Sequence, residues 1–177
     1  GYYQPYLSLL PASDVIGQIE MMTAAIRTHF GKRPRGLFLT ASAWTPSLIT
    51  PFIRCGMEYC LLDYRLFPQN REQNSQNTYF SPTIVEDKGK TITVFPYIPD
   101  DPDFINRTPQ EFYDKLAATA SSTDESMYLL FLPVKAYIKC LEKNKDGLNW
   151  FSSFVELCNQ PESVIRLTHT AELMKRR

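Results

Sequence analysis

Asp63 is the acidic side chain best placed to do chemistry, because it comes directly after the apolar residues 59–62. A carboxylate at the end of a buried strand can accept hydrogen bonds from the hydroxyl groups of a ligand and orient them. It can equally cap the turn that follows, or pair with a nearby arginine such as Arg65. Asp63 is therefore a candidate binding residue, and the two interpretations carry equal weight.

Aromatic side chains provide a second kind of candidate, a platform on which the apolar face of a ligand can stack. Trp44 follows the apolar residues 36–40, and Tyr3 lies close to the start of the chain. Each could instead fill space in the core, Trp44 at the start of a helix. Both residues are kept as candidate binding residues, with these alternatives open.

Nucleophilic and metal chemistry have little support in the residue types. Ser42 is not part of a Gly-x-Ser-x-Gly sequence, which disfavours a serine hydrolase. The two histidines, His29 and His169, belong to no group of ligands with metal-binding spacing. We therefore predict no metal site and no cofactor.

The elements that must position Asp63 and Trp44 lie on either side of a predicted helix. Residues 36–40 and 59–62 are short and apolar, which is typical of buried strands. Thr45, which precedes a proline, predicts the start of the intervening helix. This order predicts a parallel βαβ unit.

Functional groups in such a unit gather on the loops after the strands, here residues 40–43 and 63–67. The first loop has hydroxyl groups but no acid or base. Gly56 suits the end of the helix, and Pro51 is expected to kink or weaken its interior. Asp63 is thus the acidic group at this predicted edge.

The rest of the chain alternates between helical and strand-like segments. A first helix is predicted between a cap at Ser13 or Asp14 and an end at Gly31. Other helices are predicted at residues 108–120, 134–143, 147–159 and 169–175, the last capped by Thr168, and strands at residues 128–132 and 164–167. Residues 82–96 predict a hairpin with its turn at residues 86–89. Residues 69–79, 97–107 and 121–126 are predicted to be loops. This order predicts the α/β class with a barrel or barrel-like sheet.

The composition is that of a globular domain. The 177 residues are 44% hydrophobic, and 19 basic residues balance 19 acidic residues. The zero net charge disfavours nucleic acid as a partner, and no apolar run approaches the ~20 residues of a membrane span. The four cysteines lack Cys-x-x-Cys spacing, so we expect core thiols in a reducing cytoplasm.

Four segments occur in a distinctive order: GYYQPYL at residues 1–7, DVIGQIE at 14–20, RPRGLFLTASAW at 33–44 and PTIVEDKGKTITVFP at 82–96. Together they resemble glycoside hydrolase family 57, the α-amylase and 4-α-glucanotransferase group. The resemblance implies an incomplete (β/α)7-type barrel that lacks its N-terminal strand. It also implies a single glycoside hydrolase/deacetylase-like domain over residues 1–177, as a fragment of a longer protein, with an α-glucan ligand.

The sequence departs from this family where the resemblance places the catalytic groups. The family's carboxylate nucleophile matches Ala41, and the glutamate of its Glu-Pro segment matches Gln4. Its acid/base aspartate should follow residues 128–132, where this chain has proline, valine and lysine at residues 133–135. Retaining cleavage of a glycoside needs two carboxyl groups a few ångströms apart. No catalytic residue is therefore expected, and Gln4 joins Tyr3, Trp44 and Asp63 as a candidate substrate-binding residue.

Three functions stay open. The first is a catalytically inactive α-glucan domain that binds glucan or maltooligosaccharide weakly. The second is an active carbohydrate enzyme whose acids come from a preceding part of the protein or from Asp63. The third is an interaction domain that keeps only the scaffold. In each case we expect no nucleic-acid or membrane partner, and association of the chain with itself through an open sheet edge is possible.

Overall fold

The computed structural model describes residues 1–39, 43–67, 82–99, 107–120, 127–131, 134–135, 138 and 147–176. Contacts divide the chain into two compact units, Gly1–Tyr97 and Ile98–Arg177. The predicted loops at residues 69–79 and 121–126 lie outside the described residues. Of the predicted helix at 134–143, residues 134, 135 and 138 are described, and these are helical. The prediction of a single domain stays a prediction.

The first unit begins with helix α1, Ala12–Phe30. It starts earlier than predicted, because the residue at the N-cap is Pro11 and the hydroxyl of Ser13 instead donates to the carboxylate of Asp14 (3.2 Å). The helix ends as predicted at Gly31, whose left-handed backbone lets its N–H donate to the carbonyl of Arg27 (2.9 Å).

The predicted βαβ unit is confirmed. Strands β1, Gly36–Phe38, and β2, Tyr59–Asp63, pair in parallel. The connection contains a 3-10 turn, Pro46–Leu48, and helix α2, Ile49–Arg54. Pro51 lies in the first turn of α2, where backbone N–H groups have no partner within the helix, so its missing N–H costs no hydrogen bond of α2.

Two further strands complete the sheet that is described in the first unit. Strand β3, Thr83–Asp87, pairs antiparallel with β4, Lys90–Pro99, and β4 pairs in parallel with β2. The order across the sheet is β1–β2–β4–β3. The hairpin is confirmed, but its loop is tighter than predicted.

Lys88 and Gly89 alone form the hairpin loop, since Glu86 pairs with Thr91 in the ladder. Both loop residues have positive φ, 52° and 77°, as a two-residue type I′ turn requires. The turn is therefore shifted towards Gly89 from the predicted residues 86–89.

The two faces of the sheet differ, because successive side chains along a strand point to opposite sides. One face packs against α1 and α2, where Val15, Ile19, Ile49 and Phe52 are fully buried. Burial of each of these side chains stabilises the fold by about 1.5–3 kcal/mol. The sheet residues on this face are Leu37, Cys60, Leu62, Ile92 and Val94, and Leu39, which follows β1, packs with them.

The opposite face is rich in aromatic side chains. The register aligns Gly36 with Tyr59, Phe38 with Leu61, Leu61 with Phe95 and Asp63 with Tyr97. The rings of Tyr59 and Phe95 meet edge to face with centroids 5.4 Å apart. A Cβ on Gly36 would lie 2.1 Å from Cε2 of Tyr59, so the absence of a side chain at Gly36 makes room for that ring.

The prediction that residues 97–107 are irregular is wrong for residues 97–99, which continue β4. Tyr97 is held by its pairing with Asp63 of β2. In the second unit, Ile98 pairs with Leu130 of β5, Leu130–Phe131, which is shorter than predicted. Residues 97–99 are thus paired in spite of the proline at residue 99.

The second unit also contains α3, Pro109–Ala120, and α4, Gly147–Cys158, at the predicted positions. A capping box starts α3: the N–H of Thr108 donates to Oε2 of Glu111 (2.8 Å), and the N–H of Glu111 donates to Oγ1 of Thr108 (3.2 Å). The ring of Phe112 contacts Trp150 and Phe154, which pack α3 against α4. No helix within the described ranges is long and apolar enough to cross a membrane.

The end of the second unit differs from the prediction in two ways. Residues 164–167 do not form a strand. Side chains take up their backbone groups: the N–H of Val164 donates to the hydroxyl of Tyr113 (3.2 Å), and the N–H of Ile165 donates to that of Ser163 (3.2 Å). The last α-helix, α5, is Thr170–Leu173, and His169 caps it instead of Thr168, because Nδ1 of His169 accepts from the N–H of Glu172 (3.1 Å).

Candidate ligand-binding site

The carboxyl ends of β1, β2 and β4 lie at the same edge of the sheet, which we call the carboxyl edge. Phe38 ends β1, Asp63 ends β2, and Tyr97 lies opposite Asp63 on β4. These side chains share the face opposite α1 and α2, where Asp63 and Tyr97 are buried and Phe38 is 39% exposed. The rings of Phe38 and Tyr97 are in contact, with centroids 5.3 Å apart and an angle of 38° between the planes. This edge brings one carboxylate together with two aromatic rings.

Asp63 both caps a turn and pairs with Arg65, as one of the two sequence interpretations proposed. Its Oδ1 accepts from the N–H of Arg65 (3.0 Å), which closes the turn Tyr64–Leu66. The guanidinium of Arg65 donates from Nε to Oδ1 (2.9 Å) and from Nη2 to Oδ2 (2.5 Å). The Asp63 side chain is 3% exposed and that of Arg65 is 65% exposed. The carboxylate is therefore buried behind a guanidinium that faces solvent.

The electrostatics of this pair favour the charged form of the arginine. The hydrogen bonding of its guanidinium to Asp63 is the main cause that raises the pKa of Arg65, and the charge of Asp63 adds to it. Smaller contributions that raise this pKa come from Tyr64 and Tyr97. Together the carboxylate and the guanidinium have no net charge.

A second arginine–carboxylate pair lies at the opposite, amino edge of the same strands. Arg35 precedes β1, Glu58 precedes β2, and the guanidinium of Arg35 donates from Nε and Nη2 to the two carboxylate oxygens of Glu58. This hydrogen bonding is the main cause that raises the pKa of Arg35 and lowers that of Glu58. Both side chains are about half exposed. This pair bridges neighbouring strands at the surface and has no buried member.

Trp44 is half-buried and packs against the hydrophobic core. Its ring lies 6.3 Å from that of Phe52, centroid to centroid, at an angle of 51°. These contacts correspond to the core interpretation of Trp44. Its role in binding stays a prediction.

Tyr3 and Gln4 are exposed on a segment that α1 anchors. The carbonyl of Gln18 accepts from the N–H of Tyr2 (3.1 Å), and the side-chain oxygen Oε1 of Gln18 accepts from the N–H of Tyr3 (3.0 Å). Tyr3 is 72% exposed, and its ring meets that of Tyr2 edge to face at 4.9 Å. Gln4 has a φ of 52°, in the left-handed region. The segment exposes the rings of Tyr2 and Tyr3 to solvent. It is hydrogen-bonded to α1, whereas Asp63 is hydrogen-bonded to Arg65 at the carboxyl edge.

Other residues singled out in the sequence do not contribute to this geometry. Ala41, Ser42 and Pro133 lie outside the described residues. His29 is exposed in the last turn of α1, and His169 is a helix cap. In the part of the chain that the structure describes, no three His, Cys, Asp or Glu side chains converge in a way that could hold a metal ion. The expectation of no metal and no cofactor stays a prediction.

Phe38 and Tyr97 are members of the carboxyl edge that were not predicted from the sequence. A signal for Tyr97 was present in the alternation of residues 91–98, in which Thr93, Phe95 and Tyr97 share one face. The prolines at residues 96 and 99 obscured it. Phe38 becomes part of the edge only through the register between strands, which no local pattern specifies.

Known proteins that are similar to this chain point to one family. A model described as Glycosyl hydrolase family 57 matches residues 1–176. A 4-alpha-glucanotransferase of Thermococcus kodakarensis is 35% identical over 97 residues, which are 54% of this chain and 14% of that protein. Alpha-amylase 1 of Dictyoglomus thermophilum is 29% identical over the same shares. The chain thus spans far less than two thirds of the length of these relatives.

Solved structures show the same fold. The crystal structure of 4-alpha-glucanotransferase from Thermococcus litoralis superposes with a TM-score of 0.75 at 24% identity, over 100% of this chain and 28% of that one. The alpha-amylase AmyC from Thermotoga maritima superposes with a TM-score of 0.67 at 12% identity, over 99% and 46%. These likenesses confirm the predicted α/β class and the incomplete (β/α)7-type barrel. The missing N-terminal strand stays a prediction.

Proposed function

The chain belongs to glycosyl hydrolase family 57, and from this premise we propose that it is an α-glucan-binding domain without catalytic activity. The ligand is a glucan or maltooligosaccharide, bound weakly at the carboxyl edge. In (β/α) barrels, ligands bind at the carboxyl ends of the strands, where Phe38, Asp63 and Tyr97 lie. An exposed aromatic ring such as that of Phe38, beside hydrogen-bonding groups, suits the alternating apolar and hydroxylated surfaces of a sugar.

The state of Asp63 is the observation that carries the inactive assignment. Both of its carboxylate oxygens accept hydrogen bonds from Arg65, and the side chain is buried. The guanidinium occupies both carboxylate oxygens, so Asp63 is not placed to act as an acid or as a nucleophile towards a sugar carbon. Ala41 and Gln4, which match the family's carboxylates, have no ionisable side chain.

The second function, an active enzyme, would need acids from another part of the protein. It predicts that a longer protein has turnover that the present chain lacks. The third function, an interaction domain, predicts no effect of glucan at all.

We infer a cytoplasmic location from the buried free thiols Cys55, Cys60 and Cys158, which suit a reducing compartment.

Self-association through a sheet edge is also proposed. Within the described sheet, β1 and β3 are the outer strands, and β1 is flanked on its other side by no described strand. An open strand edge can pair with a second copy. Size-exclusion chromatography over a hundredfold range of concentration tests this, and a strictly monomeric chain would exclude it.

The test of the main proposal combines activity and binding. We expect no hydrolysis or transfer on maltoheptaose above a buffer blank, because loss of a catalytic carboxylate removes several orders of magnitude in rate. Ligand-observed NMR should detect maltoheptaose binding with a Kd of roughly millimolar. Cellopentaose, which has β-linkages, is the control ligand.

Two phenylalanine variants locate the site. Phe38→Ala should weaken maltoheptaose binding, since it removes a ring of the carboxyl edge that is 39% exposed. Phe30→Ala removes an exposed ring at the end of α1 and should leave binding unchanged. Turnover that survives repurification would contradict the inactive assignment, and no glucan effect at tens of millimolar would favour the interaction domain.

A further inference from the structure

The Asp63–Arg65 pair differs from an ordinary surface ion pair in the exposure of its two members. The Asp63 side chain is 3% exposed, whereas that of Arg65 is 65% exposed. A buried charge is costly unless it is paired and hydrogen-bonded, so the position of Asp63 holds Arg65 in place. The pair therefore presents a fixed guanidinium to solvent at the carboxyl edge.

The hydrogen bonds also fix the orientation of the guanidinium. Nε and Nη2 both donate to the carboxylate, and the backbone N–H of the same residue donates to Oδ1. Because a guanidinium is planar and its donors diverge, the N–H groups of Nη1 point away from the carboxylate. Arg65 thus offers oriented donors. Because its side chain is already ordered in the free protein, ligand binding costs less side-chain entropy.

The charge of the pair determines which ligand these donors suit. An arginine without a counterion binds phosphate through two parallel hydrogen bonds. Here the buried carboxylate of Asp63 lies 2.9 Å from Nε, cancels the positive charge and repels an approaching anion. Hydroxyl groups, which accept a hydrogen bond without bringing a charge, meet no such repulsion.

We propose that Arg65 contacts the glucan directly, that Asp63 is its positioning residue, and that the pair makes the site select uncharged over phosphorylated glucans. This inference rests on the proposed function. The ring of Phe38, which is 39% exposed and contacts the buried ring of Tyr97, stacks on the apolar face of a sugar unit, and Nη1 of Arg65 donates to its hydroxyl groups. Arg65 acts as the specific donor, and the ring of Phe38 provides the contact area.

The pair at the amino edge provides a matched control. Arg35 and Glu58 have the same two-pronged hydrogen bonding, but both are about half exposed, and they lie at the end of the strands away from the proposed site. Arg35→Gln removes the same charge and the same kind of ion pair as Arg65→Gln. A difference between the two variants therefore reports on position in the fold.

The experiment titrates maltoheptaose and, separately, inorganic phosphate into 15N-labelled chain and follows amide shifts. Arg65→Gln should weaken maltoheptaose binding by roughly tenfold, the loss of a hydrogen bond to a charged donor, and Arg35→Gln should leave it unchanged. Arg65→Lys keeps the charge but cannot keep the fork, so it should lose as much affinity as Arg65→Gln. Asp63→Asn should gain phosphate binding that the unaltered chain lacks.

Several results would overturn the inference. Maltoheptaose binding that Arg65→Gln leaves intact would show that Arg65 does not contact the glucan, while the proposed function would stand. Phosphate binding of equal strength before and after Asp63→Asn would refute the charge argument. If the unaltered chain binds no maltoheptaose, the proposed function and the glucan contact both fail. If Asp63→Asn does not fold, the two Arg65 variants decide whether Asp63 positions the guanidinium. Equal losses of maltoheptaose affinity in Arg65→Lys and Arg65→Gln support this role, and a smaller loss in Arg65→Lys would contradict it.

Discussion

Replacing Gly36 by alanine should destabilise the first unit through a single contact. A Cβ at this position would lie 2.1, 2.3 and 2.7 Å from Cε2, Cζ and Cδ2 of Tyr59, closer than real Cβ contacts come. Gly36 and Tyr59 are partners in the parallel register of β1 and β2. The ring must therefore move or the two strands must separate.

The cost follows from what the ring would lose. Tyr59 meets Phe95 edge to face at 5.4 Å, an arrangement that stabilises by about 0.5–1.5 kcal/mol beyond burial. Overpacking of this kind costs about 1–3 kcal/mol in total. Tyr59 is half-buried, so its ring can rotate outward, and we expect a loss near 2 kcal/mol in the free energy of unfolding, within that range.

Urea denaturation followed by circular dichroism measures this loss. Gly17→Ala is the control: a Cβ there meets nothing within 4 Å, and alanine inside helix α1 should stabilise by roughly 0.5–1 kcal/mol. The two glycines should therefore respond with opposite signs.

A double-mutant cycle with Tyr59→Ala identifies the cause. If the ring is the obstacle, Gly36→Ala should cost little in the Tyr59→Ala background, with a coupling of about 1 kcal/mol or more. Additive effects, or a Gly36→Ala variant as stable as the unaltered chain, would refute the reasoning.

Three further predictions concern the pKa of one thiol, an ion pair and a helix cap. Burial raises the pKa of the Cys60 thiol to about 12. At pH 8 a disulfide reagent should therefore label Cys60 at least a hundredfold more slowly in the folded chain than in the chain unfolded by guanidinium chloride, and equal rates would contradict the burial. The hydrogen bond from Arg35 lowers the pKa of Glu58, so the ion pair stabilises the fold above pH 4.5, the ordinary pKa, and this stabilisation is lost as the pH falls below that value. Glu58→Gln should therefore remove this part of the decrease in melting temperature between pH 6 and pH 3. Thr108→Ala should cost about 1 kcal/mol in a urea titration, because it breaks the capping box with Glu111, and an unchanged midpoint would argue that water replaces the cap.

Many of the helices and strands could be predicted because their signals are local. The apolar residues 59–62 and the acid after them specify β2 and Asp63 without reference to the rest of the chain. Thr108 and Glu111 likewise indicate the start of α3. Such patterns depend on neighbours a few residues away, and a single sequence contains them in full.

The errors fall where distant groups determine the backbone. The sequence VIRL at residues 164–167 has strand-forming residues, yet the hydroxyl of Tyr113, 51 residues before Val164, takes up its N–H. The prolines around Tyr97 suggest a loop, but Tyr97 pairs with Asp63, which is some thirty residues before it in the sequence. Whether Asp63 faces a ligand or Arg65 was left open for the same reason, since both outcomes fit the same local sequence.

The two-residue loop at Lys88–Gly89 has a consequence for the order in which the sheet assembles. The hairpin of β3 and β4 joins neighbouring residues, and such hairpins form in about 1–10 μs. Strand β2 must instead find β4 across some thirty intervening residues, for example from Asp63 to Tyr97, at a larger cost in chain entropy. The hairpin is thus expected to offer a preformed template to β2. Gly89→Ala strains the backbone, because Gly89 has a φ of 77°. In a chevron experiment this variant should slow refolding more than it accelerates unfolding. The reverse pattern would show that the hairpin forms after the rate-limiting step.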